Sequence, residues 1–157
     1  VSTDLHARAP EGVAQLPSWL VSQVALHARR LVVDALAESG VRRHHFTTLL
    51  ALQEHGPSSQ AELGRRLWID RSDLHAVVGE LEREGLVTRQ RDARDRRRTV
   101  IALTPTGTTM LERLVADVGA AQDTLLEPLR AAERRELTDL LQRVNAHHAR
   151  RRAEPVP

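Results

Sequence analysis

The sequence predicts a mainly α-helical chain with one small β element set between helices. Three observations predict it. Apolar residues recur at the 3–4 spacing of a helix over most of the chain. Helix start and stop signals separate these stretches at Pro17-Ser18, Gly56-Pro57, Ser59-Gln-Ala-Glu62, Asp70-Arg-Ser-Asp73, Gly85 and Thr104-Pro105. Only two short runs read as strands, Gly85-Leu-Val-Thr88 and Thr99-Val-Ile-Ala-Leu103. Between them lies Arg89-Gln-Arg-Asp-Ala-Arg-Asp-Arg-Arg-Arg98, six arginines against two aspartates.

Residues 1–17 hold Pro10 and Gly12 without a sustained period, so they read as an extension with at most one short helical piece. A helix follows over residues 19–37, with Leu20, Val24, Leu31 and Leu36 on its apolar face, and Ser39-Gly40 ends it. The next helix runs from Arg43 to His55, with Phe46, Leu49, Leu50 and Gln53 at the inward spacing; Gly56-Pro57 stops it. Ser59 and Glu62 form a capping-box pattern for a short helix to Leu67, with Leu63 and Leu67 inward. Trp68 is expected to pack the core beside the turn that holds Ile69. Asp70 then caps a helix over residues 71–84. Thr104 caps the following helix, with Pro105 as its first residue. Met110, Leu111, Leu114, Val115, Val118, Ala121 and Leu125 run down one face of it. Pro128 interrupts, and a last helix carries Leu137, Leu140, Leu141 and Val144 before His147-His148 and an arginine-rich tail.

A short helix, a tight turn and a second capped helix form a helix-turn-helix, and two strands with an arginine loop make a winged version of it. On the second helix Leu74, Val77, Val78 and Leu81 share one face. The other side carries Ser72, Ala76, Gly79 and Arg83, with Asp73, His75 and Glu80 beside them. Gly79 in mid-helix costs about 1 kcal/mol relative to alanine, a cost that fits a face which must approach a surface closely. A DNA major groove is such a surface. Arg71 and Ser72 with His75 then suit base edges or phosphate, and Ala76 a thymine methyl. In the wing, Arg94 stands mid-loop and suits the narrow, negative minor groove. Arg91, Arg96 and Arg97 flank it, and Asp92 and Asp95 are expected to brace these arginines so that Arg94 is aimed.

The bulk numbers fit this picture. The chain has 157 residues, 41% apolar and only 2% aromatic, so aliphatic packing must dominate. Its net charge is +2, so the clustering of arginine is informative where its abundance is not. All the basic residues are arginine, as a GC-rich coding bias gives. With no cysteine, disulfides, thiolate metal sites and thiol redox sensing are excluded. No membrane span and no signal peptide are expected, and a cytoplasmic location is the default. No nucleophile motif, phosphate loop or His-Glu-x-x-His is present, so no catalytic site, no enzyme activity and no cofactor are expected.

Ser59-Gln-Ala-Glu-Leu63, Leu81-Glu-Arg-Glu-Gly-Leu-Val87, Asp92-Ala-Arg-Asp-Arg-Arg97 and Leu103-Thr-Pro-Thr-Gly107 together resemble the multiple-antibiotic-resistance regulator (MarR) family of bacterial transcription factors. The resemblance covers roughly residues 18–148. It implies a winged helix-turn-helix over residues 41–104 and a helical dimerisation region from residues 18–40 and 105–150, with a tail over 151–157. It implies a homodimeric regulator, more often a repressor, on a pseudo-palindromic DNA operator. Residues 71–84 would take the recognition role, and Arg94, braced by Asp92, the minor groove. A small-molecule effector releases DNA in many members; Trp19 and His45 are the candidates for such a site here, with a dimer anchor the favoured alternative for Trp19. Self-association also follows from the residues, since a small winged domain cannot bury the apolar stripes of the first helix and the last two. Two alternatives stay open: a winged-helix protein-interaction module, and a zinc sensor built on His44-His45 and His147-His148. Adjacent histidines diverge by about 100° on a helix, so each pair offers one ligand at most, and no metal site is assigned.

Overall fold

The computed structural model of the chain describes residues 10–93 and 95–153, with side chains through residue 149. Expectations for residues 1–9, Arg94 and residues 154–157 lie outside the described residues. Among the described residues, seven helices and two strands follow in order: α1 (Glu11–Ala14), α2 (Pro17–Ala37), α3 (Arg43–His55), α4 (Gln60–Leu67), α5 (Arg71–Arg83), β1 (Val87–Arg91), β2 (Thr99–Leu103), α6 (Pro105–Leu125) and α7 (Ala131–Ala153). The chain divides into two compact units, one ending at Gln122 and one beginning at Asp123.

The first unit is built around the apolar face of α5. Leu74, Val77, Val78 and Leu81 are all buried, as their spacing predicts. They pack with Leu49 and Leu52 of α3, Leu63 of α4, Leu36 of α2, and Leu111 and Leu114 of α6. In α3 the inward face is broader than expected and rotated. Thr48, Ala51 and Leu52 are buried, and Gln53 is exposed. A helix packed by neighbours on more than one side buries a wider arc than one stripe predicts.

Turn chemistry fixes the joints. Ser59 Oγ accepts the Glu62 N–H at 3.3 Å, and the Glu62 carboxylate accepts the Ser59 N–H at 2.8 Å. The capping box is therefore closed in both directions. Asp70 occupies the N-cap position of α5, but its side chain makes no capping hydrogen bond. An exposed carboxylate gains little from a backbone N–H over water, so the cap expected there is a position and not a bond. Thr104 works harder. Its hydroxyl donates to the Gly85 carbonyl at 2.6 Å and accepts the Gly107 N–H at 3.0 Å, tying the start of α6 to the turn after α5.

Trp68 overturns its expectation. It ends α4 in the left-handed conformation (φ 54, ψ 40) and is 76% exposed. The core position at this turn is filled by Ile69, which is buried. A left-handed residue turns its side chain away from the helix that it closes, so the next residue is the one that packs inward.

The strands pair antiparallel, from Val87 opposite Leu103 to Arg91 opposite Thr99. β1 begins later and runs farther than the sequence suggests, taking Arg89, Gln90 and Arg91 out of the expected loop. Cross-strand pairing with Thr99–Leu103 dictates this, since a partner strand of five residues holds five opposite it. Ser58 adds a short third rung, exchanging backbone hydrogen bonds with Ile101 at 3.0 and 2.9 Å. The base of the wing is thereby joined to the turn that leads into α4.

In the second unit, Arg134 pairs with Asp123 at 2.8 Å, and Glu133 accepts the Arg130 N–H at 2.8 Å at the start of α7. The helix continues past His147-His148 to Ala153, farther than expected. Leu140, Leu141 and Val144 are about half exposed on it. On α2, Leu20, Val21, Val24 and Val33 are likewise exposed. No helix among the described residues is long and apolar enough to cross a membrane.

Candidate nucleic-acid interface

Two surfaces meet on α5. Arg71, Ser72 and His75 line an open groove with Gln60, Gly64 and Arg65 of α4. Gln60 donates to the Arg71 carbonyl at 3.3 Å and links the two helices. Asp73 and Ala76 face a different concavity, with Val77 and Glu80, against α2 and α3. The outward residues expected to form one reading face are thus divided, because the helix advances them round its axis. Arg83, at the end of α5, is exposed. An added Cβ at Gly79 would meet nothing within 4 Å, so the bare spot is not required by packing inside the chain.

Carboxylates of the helix-turn-helix hold the wing. Arg89 pairs with Glu82 of α5 at 3.2 Å, and Arg98 with Glu62 of α4 at 2.9 Å. Arg91, Arg96 and Arg97 are exposed and form no ion pair among the described residues. The bracing expected of Asp95 takes another form, and that of Arg94 by Asp92 lies outside the described residues. Asp95 accepts the backbone N–H of Arg97 at 3.0 Å, and its carbonyl accepts the Arg98 N–H. The Asp92 N–H donates to the Arg98 carbonyl at 3.0 Å. A short loop needs its backbone groups satisfied first, and a neighbouring carboxylate reaches them sooner than a long guanidinium. Asp92 and Asp95 also reinforce the charge on Arg98.

The Ser59 hydroxyl, the Ser59 N–H and Arg98 together hold the Glu62 carboxyl well below its ordinary value of 4.5, at about 2. A depressed carboxylate stabilises the fold fully above its unfolded value and loses that contribution as pH falls through the folded one. Glu62→Gln should therefore cost about 1 kcal/mol at neutral pH, the full shift being discounted for a side chain one-third exposed. The difference between variant and parent should shrink between pH 5 and 2. Thermal unfolding across that range measures it; parallel acid profiles would show that the bonds do not persist in solution.

The cleft between α2, α3 and α5 has a volume of about 490 Å³ and is lined by Arg29, Arg42, Arg43, His44, His45 and Glu80, among others. His45 is 3% exposed. Its Nδ1 accepts the Arg42 N–H at 3.2 Å, which puts the ring proton on Nε2, 2.8 Å from Glu80 Oε2. Arg42 also pairs with Glu80. That pairing lowers the Glu80 carboxyl, with a smaller pull from His45. Both His45 nitrogens are engaged, so it offers no free lone pair to a metal. His147 and His148 meet edge to face, with ring centroids 5.1 Å apart. Among the described residues no group of three histidine or acidic side chains is placed to hold a metal. Trp19 is partly buried and does not line the cleft; its Nε1 has no hydrogen-bond acceptor among the described residues. Sequence reasoning missed Arg29 and Arg42, and it placed Glu80 beside the outward face of α5 without its partners in this cleft. Arg42 and Glu80 lie 38 positions apart, and no local pattern joins them.

A family model described as MarR family matches residues 39–98. The HTH-type transcriptional repressor NicR of Pseudomonas putida is 33% identical over 99 residues, which cover 63% of each chain. Over these stretches the chain is similar to the MarR family. Its match spans just under two thirds of that relative's length. Among solved MarR-type structures, CouR of Rhodococcus jostii bound to p-coumaroyl-CoA has a TM-score of 0.76 at 27% identity, covering 86% of this chain and 95% of that one. A mutant of E. coli MarR complexed with operator DNA has a TM-score of 0.71 at 25% identity, covering 81% and 91%. The family is one of transcriptional regulators, and the winged helix-turn-helix architecture agrees with it.

Proposed function

We propose that this chain is a MarR-family, non-enzymatic, DNA-binding transcriptional repressor that acts in the cytoplasm as a homodimer on a pseudo-palindromic operator. The observation that carries the reading is α5: four fully packed apolar residues behind it, exposed Arg71, Ser72 and His75 in front, and an arginine wing beside it. The operator complex of the E. coli MarR mutant supports a duplex as the partner. Residues 41–104 bind DNA, with α5 in the major groove. Arg71, Ser72, His75 and Arg83 form the reading side, with Asp73 and Ala76 at its edge, where α5 turns toward the α2–α3 cleft. Arg91, Arg96 and Arg97 take phosphates, and Arg94 enters the minor groove with Asp92 as its brace. Residues 18–40 and 105–150 dimerise; exposed Leu20 and Val24 on the first unit, and exposed Leu140 and Val144 on the second, are apolar patches that a second copy would cover. Residues 1–17 extend that region, and 151–157 form a tail.

A small anionic molecule in the α2–α3–α5 cleft releases the DNA in this reading. The cleft volume lies in the range of small-ligand sites, and Arg29, Arg42 and Arg43 supply positive charge. The ligand-bound CouR structure supports a regulator that takes a small molecule. Selection of duplexes from a random pool by the purified protein tests the function; no enrichment of an inverted repeat would sink it. Titrating the selected duplex complex with small aromatic carboxylates tests release. Arg94→Ala should weaken gel-shift affinity at least roughly tenfold with helicity and dimer unchanged, as loss of a well-buried arginine anchor does. Equal affinities would remove Arg94 from the interface.

A further inference from the structure

We propose that Trp68 is an operator-backbone contact: its indole packs on deoxyribose beside the recognition helix and its Nε1–H donates to a phosphate. The proposal rests on the DNA-binding reading and adds a residue to it.

Two unfavourable local choices coincide at Trp68. It is the most exposed large apolar side chain among the described residues, in a chain with only three aromatics. A tryptophan buries roughly 150–250 Å² when packed, so leaving it in water forgoes more than any other side chain would. It is also the one non-glycine residue with positive φ among the described residues; the three other positive-φ positions are glycines. Glycine would take this helix end without steric penalty. A residue that breaks two local rules at once, with no gain inside the chain, marks a functional surface.

The turn is rigid. The Trp68 and Ile69 N–H groups both reach the Gly64 carbonyl, the second at 3.2 Å, and Ile69 is anchored in the core. The indole is therefore carried on a fixed backbone between the two helices of the motif and loses little freedom on binding.

Charge selects the partner. Arg65 and Arg66 precede Trp68 and Arg71 follows it, all exposed; Asp70 is the single carboxylate among residues 65–71. Arg65 and Arg71 line the same groove as Ser72 and His75, so the surface round Trp68 is continuous with the proposed reading face. A polyanion with apolar sugar faces matches an apolar ring with one N–H donor among arginines. An acidic protein surface or a second copy would match the charge or the ring, but not both in alternation along a strand.

The experiment uses the full chain and the duplex selected above, with Trp68→Ala, Trp68→Phe and Trp68→Gly. Duplex should change the tryptophan emission of the parent, and Trp68→Phe should lack that change. Trp68→Ala and Trp68→Gly should bind about tenfold more weakly, the usual scale for a tryptophan anchor. Trp68→Phe should recover part of this through its ring. The slope of log K against log salt should stay as in the parent, because an indole releases no counterion; Arg71→Ala should flatten it. Trp68→Gly should melt at least as high as the parent, so weaker binding is not misfolding. Duplex binding with parental affinity in Trp68→Ala and no emission change overturns the contact while leaving the DNA reading intact. An emission change produced by dilution without DNA points to a second copy and overturns it as well. A parent that binds no duplex at low salt overturns both.

Discussion

Gly107→Ala should destabilise the first unit by about 3 kcal/mol, at the upper end of overpacking costs. An added Cβ would stand 1.9 Å from the Leu86 carbonyl oxygen, 2.9 Å from its carbon and 3.2 Å from Leu103 Cδ2. The first two are backbone atoms, so no rotamer change relieves them. The Leu86 carbonyl is also engaged, accepting the Thr104 N–H at 3.1 Å, and its side chain is buried. Moving it would pull the wing base from the first turn of α6. Helix propensity alone argues the other way, since alanine is favoured over glycine by about 1 kcal/mol. Gly119 in the same helix isolates that effect, because its Cβ would meet nothing within 4 Å. Gly119→Ala should raise the melting temperature by a few degrees and Gly107→Ala should lower it by roughly 6–12 °C. Two alanines of the same sign would show that α6 does not start against Leu86.

Thr104, Gly107 and Leu86 also indicate where sequence reasoning reaches and where it stops. The cap at Thr104 was readable because its partner, Gly107, is three residues away. The same holds for Ser59 with Glu62, and the buried face of α5 was readable because one helix period repeats through it. The Thr104 bond to Gly85 was not, for it spans 19 positions. Arg98 with Glu62, 36 positions apart, and Arg42 with Glu80 belong to the same class. Trp68 misled for a different reason. Its apolarity favours the core, and nothing in its neighbours announces a left-handed backbone at a non-glycine residue. In the wing, composition located the arginines but not their partners, and the partners decide which of them keep an unmatched charge.

That division predicts different salt behaviour for arginines that composition treats alike. Arg89 and Arg98 already face carboxylates, and Arg91, Arg96 and Arg97 form no ion pair among the described residues. Each phosphate contact contributes about 0.9 to the slope of log K against log salt, and a homodimer makes each contact twice. Replacing Arg97 with alanine should therefore flatten the slope by about 1.8. Between 50 and 200 mM salt, Arg97→Ala should lose roughly tenfold less affinity than the parent, because two counterions fewer are released. Arg91→Ala and Arg96→Ala should behave alike. Arg98→Ala should hold the parental slope and lose affinity at every salt, because it unfastens the wing from α4 while its charge was already matched by Glu62. Glu62→Gln should do the reverse. It frees Arg98 to meet phosphate, so binding should become more salt-dependent and not less. Fluorescence anisotropy of a labelled selected duplex, titrated at four or more salt concentrations, reads all of these slopes. If Arg97→Ala and Arg98→Ala flatten the slope equally, the Arg98–Glu62 pair opens on DNA and the wing binds as an undivided charge run.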